Sequence, residues 1–552
     1  MTFNKIVQNK KLLACILAGL LIVIFIIVVT LLFLSNREDV RDIDRLLLGI
    51  GNDFTIIRHG LRPDEPLTGP RQVVIGADGV SGWLSPVGAV TEADRLAVQI
   101  IFETLIAIGP SGYPEGQIAN FYIEDDGYTY IFYINESINF SDGSPLLPSD
   151  IESSFTAFSL PGVETVFNPY LSRILGWDGF RQGFTDYIEG IVADDYAGII
   201  TFNFITNERI NKRAFLLPIF RNDLGTGPFA LESIMGDNIL LAANPNYHGG
   251  APILDYIIIR SANAVSAPLL LGDGIDLFWA DYNEILLNQI IPLDDVSIGV
   301  FDGIQTGFIG FNQQHPILQN REMRRALSMA VDVFSIVEEH YGEFAAPAGS
   351  IIPDYLWLYP GQRERSGFDP AGARRIIEAE GFALGESGFF QRDGHELSFT
   401  INTINTYSAM IISEMVAEYW RDIGVRAIVQ TLSFSNLRDV IDSENFDVLY
   451  MNMNVPHDMD FSIVSENNTF INPLGWHNEY ADYFAGHINN YDINLAREAF
   501  GRWLEIYEGD YVRLHMARPR RLVFFNPVIT GLSPYNFGKF TWNIERWGLS
   551  GN

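Results

Sequence analysis

Paired carboxylates are the first residues of this sequence that could carry chemistry, because two adjacent acids can divide the roles of general acid and general base. Asp125-Asp126 and Asp194-Asp195 are such pairs. Both lie in stretches with the composition of a hairpin turn, where solvated acidic residues are common without any catalytic role. We therefore assign no catalytic function to either pair.

The chain lacks the motifs that position a nucleophile, a phosphate or a dinucleotide. It contains no Gly-x-Ser-x-Gly sequence, no Gly-x-x-x-x-Gly-Lys-Ser/Thr loop and no dinucleotide-binding glycine pattern. Its nine histidines include no His-x-x-x-His or His-Glu-x-x-His pair, which argues against a zinc site built by the protein. We predict a protein that is not an enzyme and uses no cofactor or metal. A hydrolase without a recognised motif is the alternative that the sequence leaves open.

Composition narrows the set of partners. The sequence has 552 residues, 47% of them hydrophobic, and a formal net charge of -32. A chain of this length forms roughly two or three domains. So large a negative charge repels nucleic acids and anionic lipid head groups, so we predict no nucleic-acid partner. Cys15 is the single cysteine, and an intrachain disulfide bond is therefore impossible.

The N-terminal segment predicts a membrane anchor. Residues 12–34 form an uncharged apolar run, preceded by three lysines. A helix of this length spans a hydrocarbon core of roughly 30 Å. We predict a cytoplasmic N-terminus over 1–11, a single transmembrane helix over 12–34 and an extracytoplasmic bulk, which places the protein in the cell membrane. Basic residues flank the run equally, so orientation rests on the acidic C-terminal part. A cleaved signal peptide or lipidation of Cys15 is the alternative.

Beyond the anchor, strand and helix patterns alternate. Residues 35–71 are mixed in composition and end in prolines and glycines, which is typical of a stalk. Gln72–Gly76 then has the pattern of a first strand. Thr91 and Asp94 have the spacing of a capping box and predict a helix that begins there. The alternation predicts an α/β fold with mixed sheets in more than one lobe.

Two further segments have clear local signals. Phe121–Ile134 is predicted to be a hairpin with an Asp-Gly turn, in which Tyr128, Tyr130 and Phe132 share one face. A helix is predicted to begin at Asp369, because an acidic cap is followed there by proline at the first helical position.

Several segments, in chain order, resemble motifs of one known family: Phe140–Leu146 (FSDGSPL), Gly225–Phe229 (GTGPF), Asn244–His248 (NPNYH), Gly272–Asp276 (GDGID), Phe308–Asn312 (FIGFN) and Arg324–Asp332 (RRALSMAVD). The family is the bacterial extracellular solute-binding proteins, family 5, which includes the oligopeptide-, dipeptide- and nickel-binding proteins of ABC importers. Each motif is weak alone, but the ordered set is specific, and the resemblance covers residues 72–547.

The resemblance implies a two-lobed fold of the periplasmic-binding-protein type II class that closes on its ligand. Lobe 1 is expected over 72–308, with an extra small subdomain at about 110–215. Lobe 2 is expected over 309–507, and residues 508–552 are expected to return to lobe 1.

The resemblance also implies a function. We expect capture of oligopeptides or dipeptides in the interlobe cleft and delivery to the transmembrane subunits of an ABC permease. A nickel chelate or another small solute on the same fold is one alternative, since fold does not fix function. A membrane-anchored surface receptor or chaperone without a permease is another.

The expected ligand-binding residues follow from the same resemblance. In peptide-binding members an aspartate meets the ligand's α-ammonium group, and Asp458 and Asp460 stand in that region. A carboxylate–ammonium pair is a strong anchor because both partners are charged. Met459 replaces the family's usual proline, so capping of a turn is the alternative role for the two acids. Asn452 and Asn454, just before them, are expected to line the same site.

Three tryptophans complete the predicted ligand-binding set. Trp83 lies in the loop after the first strand, which faces the cleft in this family. Trp279 closely follows the GDGID segment, and Trp476 lies in a loop rich in glycine, asparagine and proline. We predict that their rings contact the ligand. Packing in the hydrophobic core is the alternative for each of them.

Overall fold

The computed structural model describes residues 54–60, 69–109, 112–124, 126–361, 367–454, 474–488, 490, 492–533 and 540–550. The predicted cytoplasmic N-terminus and the predicted transmembrane helix over 12–34 lie outside these ranges. Within them, no helix combines the length and the apolar character that crossing a bilayer requires.

The helices of the described ranges are α1 (Glu92–Ile101), α2 (Pro148–Ser159), α3 (Asn168–Leu171), α4 (Trp177–Arg181), α5 (Ala267–Leu270), α6 (Glu284–Ile290), α7 (Arg321–Met329), α8 (Val333–Tyr341), α9 (Pro370–Ala379), α10 (Tyr407–Asp422), α11 (Phe434–Asp442), α12 (Glu479–Ile488) and α13 (Ile493–Gly509). Short 3-10 segments cover Arg209–Leu216, Gly342–Phe344 and Ile544–Arg546.

The strands of the same ranges are β1 (Thr55–Arg58), β2 (Gln72–Ala77), β3 (Ile106–Ile108), β4 (Pro114–Gly116), β5 (Ala119–Ile123), β6 (Thr129–Ile134), β7 (Ile191–Asp194), β8 (Ile199–Asn203), β9 (Phe229–Met235), β10 (Asn238–Ala243), β11 (Tyr256–Ser261), β12 (Leu277–Asp281), β13 (Ser297–Phe301), β14 (Gln305–Phe311), β15 (Ala345–Pro347), β16 (Ala383–Leu384), β17 (Phe390–Arg392), β18 (His395–Glu396), β19 (Ser398–Ile404), β20 (Arg426–Leu432), β21 (Val448–Asn454), β22 (Arg513–His515), β23 (Ala517–Pro519), β24 (Arg521–Phe525), β25 (Ile529–Thr530) and β26 (Gly548–Leu549).

Among the described residues, the largest sheet has eight strands in the order β1-β13-β24-β12-β2-β11-β10-β9. β2 pairs in parallel with β11 and β12, and the other neighbours are antiparallel. β13 is buried along its whole length, which its small and apolar residues allow. β24 comes from the C-terminal part of the chain, and β1 comes from the predicted stalk. The chain therefore enters this sheet before residue 72 and returns to it after residue 520.

Helix α1 covers one face of the eight-stranded sheet, and its predicted capping box is confirmed. The hydroxyl of Thr91 accepts a hydrogen bond from the Asp94 N–H at 3.0 Å, and the Asp94 carboxylate accepts one from the Thr91 N–H at 3.3 Å. Leu96 and Ile100, four residues apart on one helix face, pack into the same core as Ile75 of β2. Local capping and the apolar face together place the start of α1 at the end of the loop that follows β2.

A four-stranded sheet, ordered β5-β6-β8-β7, has an aromatic core of its own. The rings of Phe132 and Phe202 lie 5.8 Å apart, and Phe215 approaches Phe132 at 4.6 Å. The predicted hairpin is confirmed as β5 and β6. Tyr130 and Phe132 share its buried face, whereas Tyr128 is 41% exposed because the strand begins one residue later. The prediction that Tyr128 lies on that face is wrong.

A five-stranded sheet, ordered β20-β19-β21-β14-β22, forms a third core. The ring of Trp420 on α10 is fully buried there, and its indole N–H donates to the carbonyl of Leu327 on α7 at 2.9 Å. The predicted start of α9 is confirmed, because the Asp369 carboxylate caps the helix by accepting the Gly372 N–H at 2.7 Å. The hydrophobic core of the five-stranded sheet is therefore separate from the core beneath helix α1 of the eight-stranded sheet.

Candidate functional site

In the described part of the chain, two short segments connect the eight-stranded sheet to the five-stranded sheet. Residues 302–304 lead from β13 to β14, and residues 516–520 lead back from β22 through β23 to β24. We call them the crossing segments. They touch, because a Cβ atom on Gly303 would lie only 2.1 Å from the carbonyl oxygen of Pro519. Glycine is therefore required at this close approach of two backbones.

The crossing segments are tied to the chain around β15. The backbone N–H of Arg520 donates to the carbonyl of Phe344 at 2.8 Å, and its guanidinium donates to the carbonyl of Glu343 at 3.0 Å. The same guanidinium lies 3.7 Å from the carboxylate of Asp302, so it links both crossings. Since the pair is partly exposed, its own energy is below about 1 kcal/mol, and its effect is to position the segments.

Tyrosine rings make a second contact between the two sheets. Tyr282, just after β12, lies with its ring 4.9 Å from that of Tyr341 at the end of α8. The Tyr341 hydroxyl is hydrogen-bonded to Tyr450 on β21. Burial raises the pKa of Tyr282 to about 12 and raises those of Tyr341 and Tyr450 above their usual range. All three hydroxyls are therefore neutral at physiological pH and serve as hydrogen-bonding groups.

Asn452 and Asn454 lie together at the end of β21, opposite Gly307 and Gln305 of β14. Both side chains are exposed, and being two residues apart on a strand they face the same side. The hydroxyl of Tyr450 lies 3.4 Å from Oδ1 of Asn452. A Cβ atom on Gly307 would lie 2.8 Å from that oxygen, so glycine provides the space for the amide. The structure thus presents two neighbouring amides that can bind polar groups of a ligand.

Trp83 lies in the loop between β2 and α1, and 57% of it is exposed. The backbone N–H of Ser81 donates to the buried Asp94 carboxylate at 3.3 Å, and the hydroxyl of Ser81 donates to the carbonyl of Trp83 at 2.7 Å. The ring lies over Gly88, where an added Cβ would approach it to 2.8 Å. The helix cap therefore holds the loop that presents an exposed indole.

The same β2–α1 connection borders a surface recess of about 540 Å³ lined by Asp78, Gly79, Val90, Thr91, Glu92 and Arg95.

The two remaining tryptophans use their rings for packing. Trp279 on β12 stacks on Phe540 with ring centres 4.4 Å apart and an interplanar angle of 14°. Trp476 is only 6% exposed, and its indole N–H donates to the Asp510 carboxylate at 3.0 Å. Its ring also meets that of Tyr507 edge-on at 5.0 Å. The structure places Trp279, partly buried, against the core of the eight-stranded sheet and Trp476 in the core beneath α12 and α13, so it does not bring the three tryptophans together.

The predicted acidic anchors, Asp458 and Asp460, lie outside the described residues. Within the described ranges, no cluster of three or more histidine, cysteine, aspartate or glutamate side chains is arranged to hold a metal ion.

The sequence interpretation missed three buried polar residues on and next to the crossing segments. They are Arg518, Ser350 and Thr306, which are 8%, 3% and 1% exposed. Nε of Arg518, Oγ of Ser350 and Oγ1 of Thr306 are all buried without a hydrogen-bonding partner. A buried polar group left in this way costs about 1–3 kcal/mol, so three together are an expensive arrangement. The sequence signal was the basic run from Arg518 to Arg521 in a strongly acidic chain.

Curated relatives of this sequence are named as peptide-binding proteins. The oligopeptide-binding protein AppA of Bacillus subtilis is 26% identical over 362 residues, which cover 60% of this chain and 63% of AppA. The dipeptide-binding protein of Escherichia coli K12 is 22% identical over 381 residues, which cover 62% of this chain and 68% of that protein. The alignment with AppA thus spans less than two thirds of its length.

Solved structures share the fold across most of the chain. One is the unliganded open form of MppA, a periplasmic murein tripeptide binding protein. The alignment covers 88% of this chain and 99% of MppA, with a TM-score of 0.73 and 16% sequence identity. Another is NikZ from Campylobacter jejuni in complex with Ni(L-His). The alignment covers 87% of this chain and all of NikZ, with a TM-score of 0.62 and 18% sequence identity. The α/β architecture of mixed sheets is therefore that of type II periplasmic binding proteins.

A family model spans the whole four-stranded sheet and four strands of the five-stranded sheet. The model for the bacterial extracellular solute-binding proteins, family 5 Middle, matches residues 114–469. This range contains the motif segments from FSDGSPL to RRALSMAVD as well as both asparagines of β21. More than half of the chain is matched, and the protein therefore belongs to the bacterial extracellular solute-binding proteins, family 5.

Proposed function

We propose that this chain is the extracytoplasmic substrate-binding component of an ABC importer and that it captures oligopeptides or dipeptides in a cleft between two lobes. Family membership supports binding of an extracellular solute, and the names of AppA and the Escherichia coli relative support peptides as that solute. The protein acts by binding rather than by catalysis. Its permease subunits are the partners that receive the ligand.

The observation that carries the proposal is the connection at Gly303 and Pro519. Two sheets with separate cores are joined by adjacent crossing segments, and short connections of this kind absorb the dihedral changes of a hinge. In this proposal the eight-stranded sheet belongs to lobe 1, the four-stranded sheet to the small subdomain and the five-stranded sheet to lobe 2. The expected boundary at 308 falls within β14 and the one at 508 falls within α13, so in this proposal lobe 2 extends from β14 to β22.

The site residues have distinct roles in the proposal. The exposed ring of Trp83 stacks on the ligand from lobe 1, and the amides of Asn452 and Asn454 bind its backbone groups from lobe 2. Asp458 and Asp460 remain the proposed partners of an α-ammonium group. Trp279 and Trp476 contribute by holding the walls of the two lobes, because their rings are engaged in packing.

Attachment to the membrane is part of the same proposal. The apolar run over 12–34 anchors the chain, and the acidic bulk lies outside the cell, where it meets both the solute and the permease. Fixing the binding protein beside the permease raises its local concentration there, which favours transfer of the ligand.

Native mass spectrometry of the full-length protein purified from its own cells tests the proposed ligand class. A ladder of masses separated by amino-acid residues is the expected result, and it should disappear after denaturation and refolding. Adding synthetic peptides to the refolded protein should then raise its unfolding free energy by about 2.7 kcal/mol at 100 times Kd. A single co-purifying metal complex, with no stabilisation by any peptide, would show that the solute is not a peptide.

A further inference from the structure

The four-stranded sheet has one face in its aromatic core and one face at the surface. Phe121, Phe132 and Ile200 lie opposite one another across the strands, on the core side. Successive residues of a strand point to opposite sides, so their neighbours in the chain form the other face. We call that set the outer sheet face, and it consists of two cross-strand rows: Tyr122, Ile131, Thr201 and Val192 in the first, and Asn120, Tyr133, Ile199 and Asp194 in the second.

The outer sheet face is unusually apolar for a surface in contact with water. Tyr122, Tyr133 and Val192 are 51%, 48% and 54% exposed. Ile131 and Ile199, the cross-strand neighbours of the two tyrosines, are partly exposed as well. The solvent side of an antiparallel sheet normally carries polar side chains, so the fold itself does not require this composition. A contiguous apolar patch on the surface is typical of a site of interaction with another molecule.

The charged side chains of this sheet all have the same sign. Glu124 continues the outer sheet face beyond Tyr122 on the edge strand β5, and Asp194 lies on the opposite edge strand, β7; both acids are exposed. Residues 96–172 and 182–208, which include all four strands, contain no lysine, arginine or histidine. The apolar centre of the face therefore lies between negative charges that the residues of the sheet do not neutralise.

The basic residues that separate those two stretches have acidic partners of their own. The guanidinium of Arg173 pairs with Glu208, and that of Arg181 pairs with Glu164. Neither cation is therefore at hand to compensate the acids of the outer sheet face. A partner that supplies positive charge would gain electrostatic energy there, and the same charges would steer its approach.

We propose that the outer sheet face is a docking surface for a segment of another protein that is rich in lysine and arginine. Cationic groups of the segment pair with Glu124 and Asp194 and lie over the rings of Tyr122 and Tyr133, while their aliphatic stems cover the exposed apolar side chains. Nucleic acids and anionic lipids carry the wrong charge for this surface. A second copy of the chain would place like charges against each other across a twofold axis.

Surface plasmon resonance with the immobilised full-length protein tests the docking. The probes are three matched peptides in which leucine alternates with lysine, serine or glutamate, and whose ends are acetylated and amidated so that they carry no terminal charge. We expect the lysine peptide to bind at least about tenfold more tightly than the serine peptide, and the glutamate peptide not to bind. The affinity for the lysine peptide should fall as salt is added, because the acids of the face are exposed and therefore screened.

Substitutions on the face should weaken binding of the lysine peptide without unfolding the sheet. Tyr122→Thr combined with Tyr133→Thr should lower its affinity at least about fivefold, and threonine is well tolerated at exposed strand positions. Glu124→Gln should lower the affinity and reduce its dependence on salt. Glu232→Gln is the matched control for charge, because Glu232 is an exposed acid on strand β9 of the eight-stranded sheet. Tyr480→Ala removes a ring that is 76% exposed on α12, and neither control should change the affinity.

Trp83→Ala separates docking on the sheet from capture in the proposed cleft, and it should leave the affinity for the lysine peptide unchanged. If it weakens that binding while the double tyrosine variant does not, the peptide is held in the cleft, which overturns this inference and keeps the proposed function. The inference is also overturned if the serine peptide binds equally well, if the controls weaken binding as much as the face variants, or if no probe binds.

Sedimentation of the wild type and of the double tyrosine variant tests the remaining occupant. Both are expected to sediment as the same species, and a wild-type dimer that the variant loses would show that a second copy covers the face and would overturn the inference. Docking on the outer sheet face does not use the proposed cleft. Failure of ligand capture would therefore overturn the proposed function and leave this inference standing.

Discussion

The α-carbon of Gly303 faces the carbonyl oxygen of Pro519 so closely that an added Cβ would lie 2.1 Å from it. These residues belong to the two crossing segments, so the contact joins the backbones that connect the two large sheets. Neither backbone can retreat easily, because β23 pairs with β15 on one side and Arg520 holds Asp302 on the other. Any side chain at residue 303 must therefore push the crossings apart.

Gly303→Ala should destabilise the protein by about 1–3 kcal/mol, as overpacking in a rigid environment does. It should also weaken peptide binding, because the proposed hinge passes through this contact. Urea unfolding and calorimetry with the same peptide measure the two effects. Gly486→Ala is the control, since it lies in helix α12 with no atom within 4 Å of the added Cβ. A Gly303→Ala protein that matches this control in both measurements would contradict the close contact.

Single substitutions of Trp83 and Trp476 should separate an effect on ligand binding from an effect on the stability of the fold. Trp83→Ala is expected to change the unfolding free energy by less than about 0.5 kcal/mol, because the ring is 57% exposed, and to weaken peptide binding. Trp476→Ala should cost about 3–5 kcal/mol, because it empties a buried site and leaves Asp510 without its indole donor. Chemical denaturation and peptide titration of both variants provide the comparison. Equal losses of stability would mean that the Trp83 loop is packed more firmly than its exposure indicates.

Local signals in the sequence predicted local structure well. The Thr91–Asp94 spacing and the acid before Pro370 predicted the starts of α1 and α9, because a cap satisfies backbone groups within a few residues. The family resemblance predicted the type II fold through the order of short turn motifs. Tyr128 was predicted to share a face with Tyr130 and Phe132 because periodicity does not locate the residue at which a hairpin strand begins.

The candidate site was harder to predict because its parts are distant in sequence. The buried polar residues Thr306, Ser350 and Arg518 are far apart in the sequence, and no periodic pattern relates them. An exposed and a buried tryptophan also look alike in sequence: Trp83 and Trp476 both lie in glycine-containing loops, yet only tertiary packing decides that one ring is exposed and the other bonded to Asp510.

Asp94 connects helix capping to the position of the Trp83 loop. Its carboxylate is 1% exposed and accepts N–H groups of Ser81 and Thr91. Burial raises its pKa, but these hydrogen bonds outweigh burial, and the net pKa is lowered. Asp94→Ala should therefore cost about 1–3 kcal/mol and weaken peptide binding through the released loop. Thr91→Ser, which keeps the cap, should change neither. Unfolding and calorimetry at neutral pH test both, and intact peptide affinity in Asp94→Ala would show that the loop keeps its position without the cap.

The pair formed by His248 and Glu103 should make stability fall as pH rises through neutrality. Nε2 of His248 lies 3.0 Å from both oxygens of Glu103, which is 2% exposed. Burial lowers the pKa of His248, but the bond to Glu103 and the charges of Glu103 and Glu545 outweigh it, so the net pKa is raised. The stabilisation is then fully present below the unfolded pKa of about 6.5 and is lost as pH rises through the folded value.

Comparison with His248→Gln isolates this contribution. His315 and His340 have pKa values lowered by burial, so their contribution to stability rises with pH up to the unfolded pKa of about 6.5, below the range in which His248 acts, and both remain present in both proteins. The wild type should lose up to about 1 kcal/mol relative to His248→Gln between about pH 6 and pH 8, a small value because the imidazole is partly exposed. Urea unfolding at both pH values measures the difference. Parallel stability profiles for the two proteins would mean that His248 has the same proton affinity in the folded and unfolded chains.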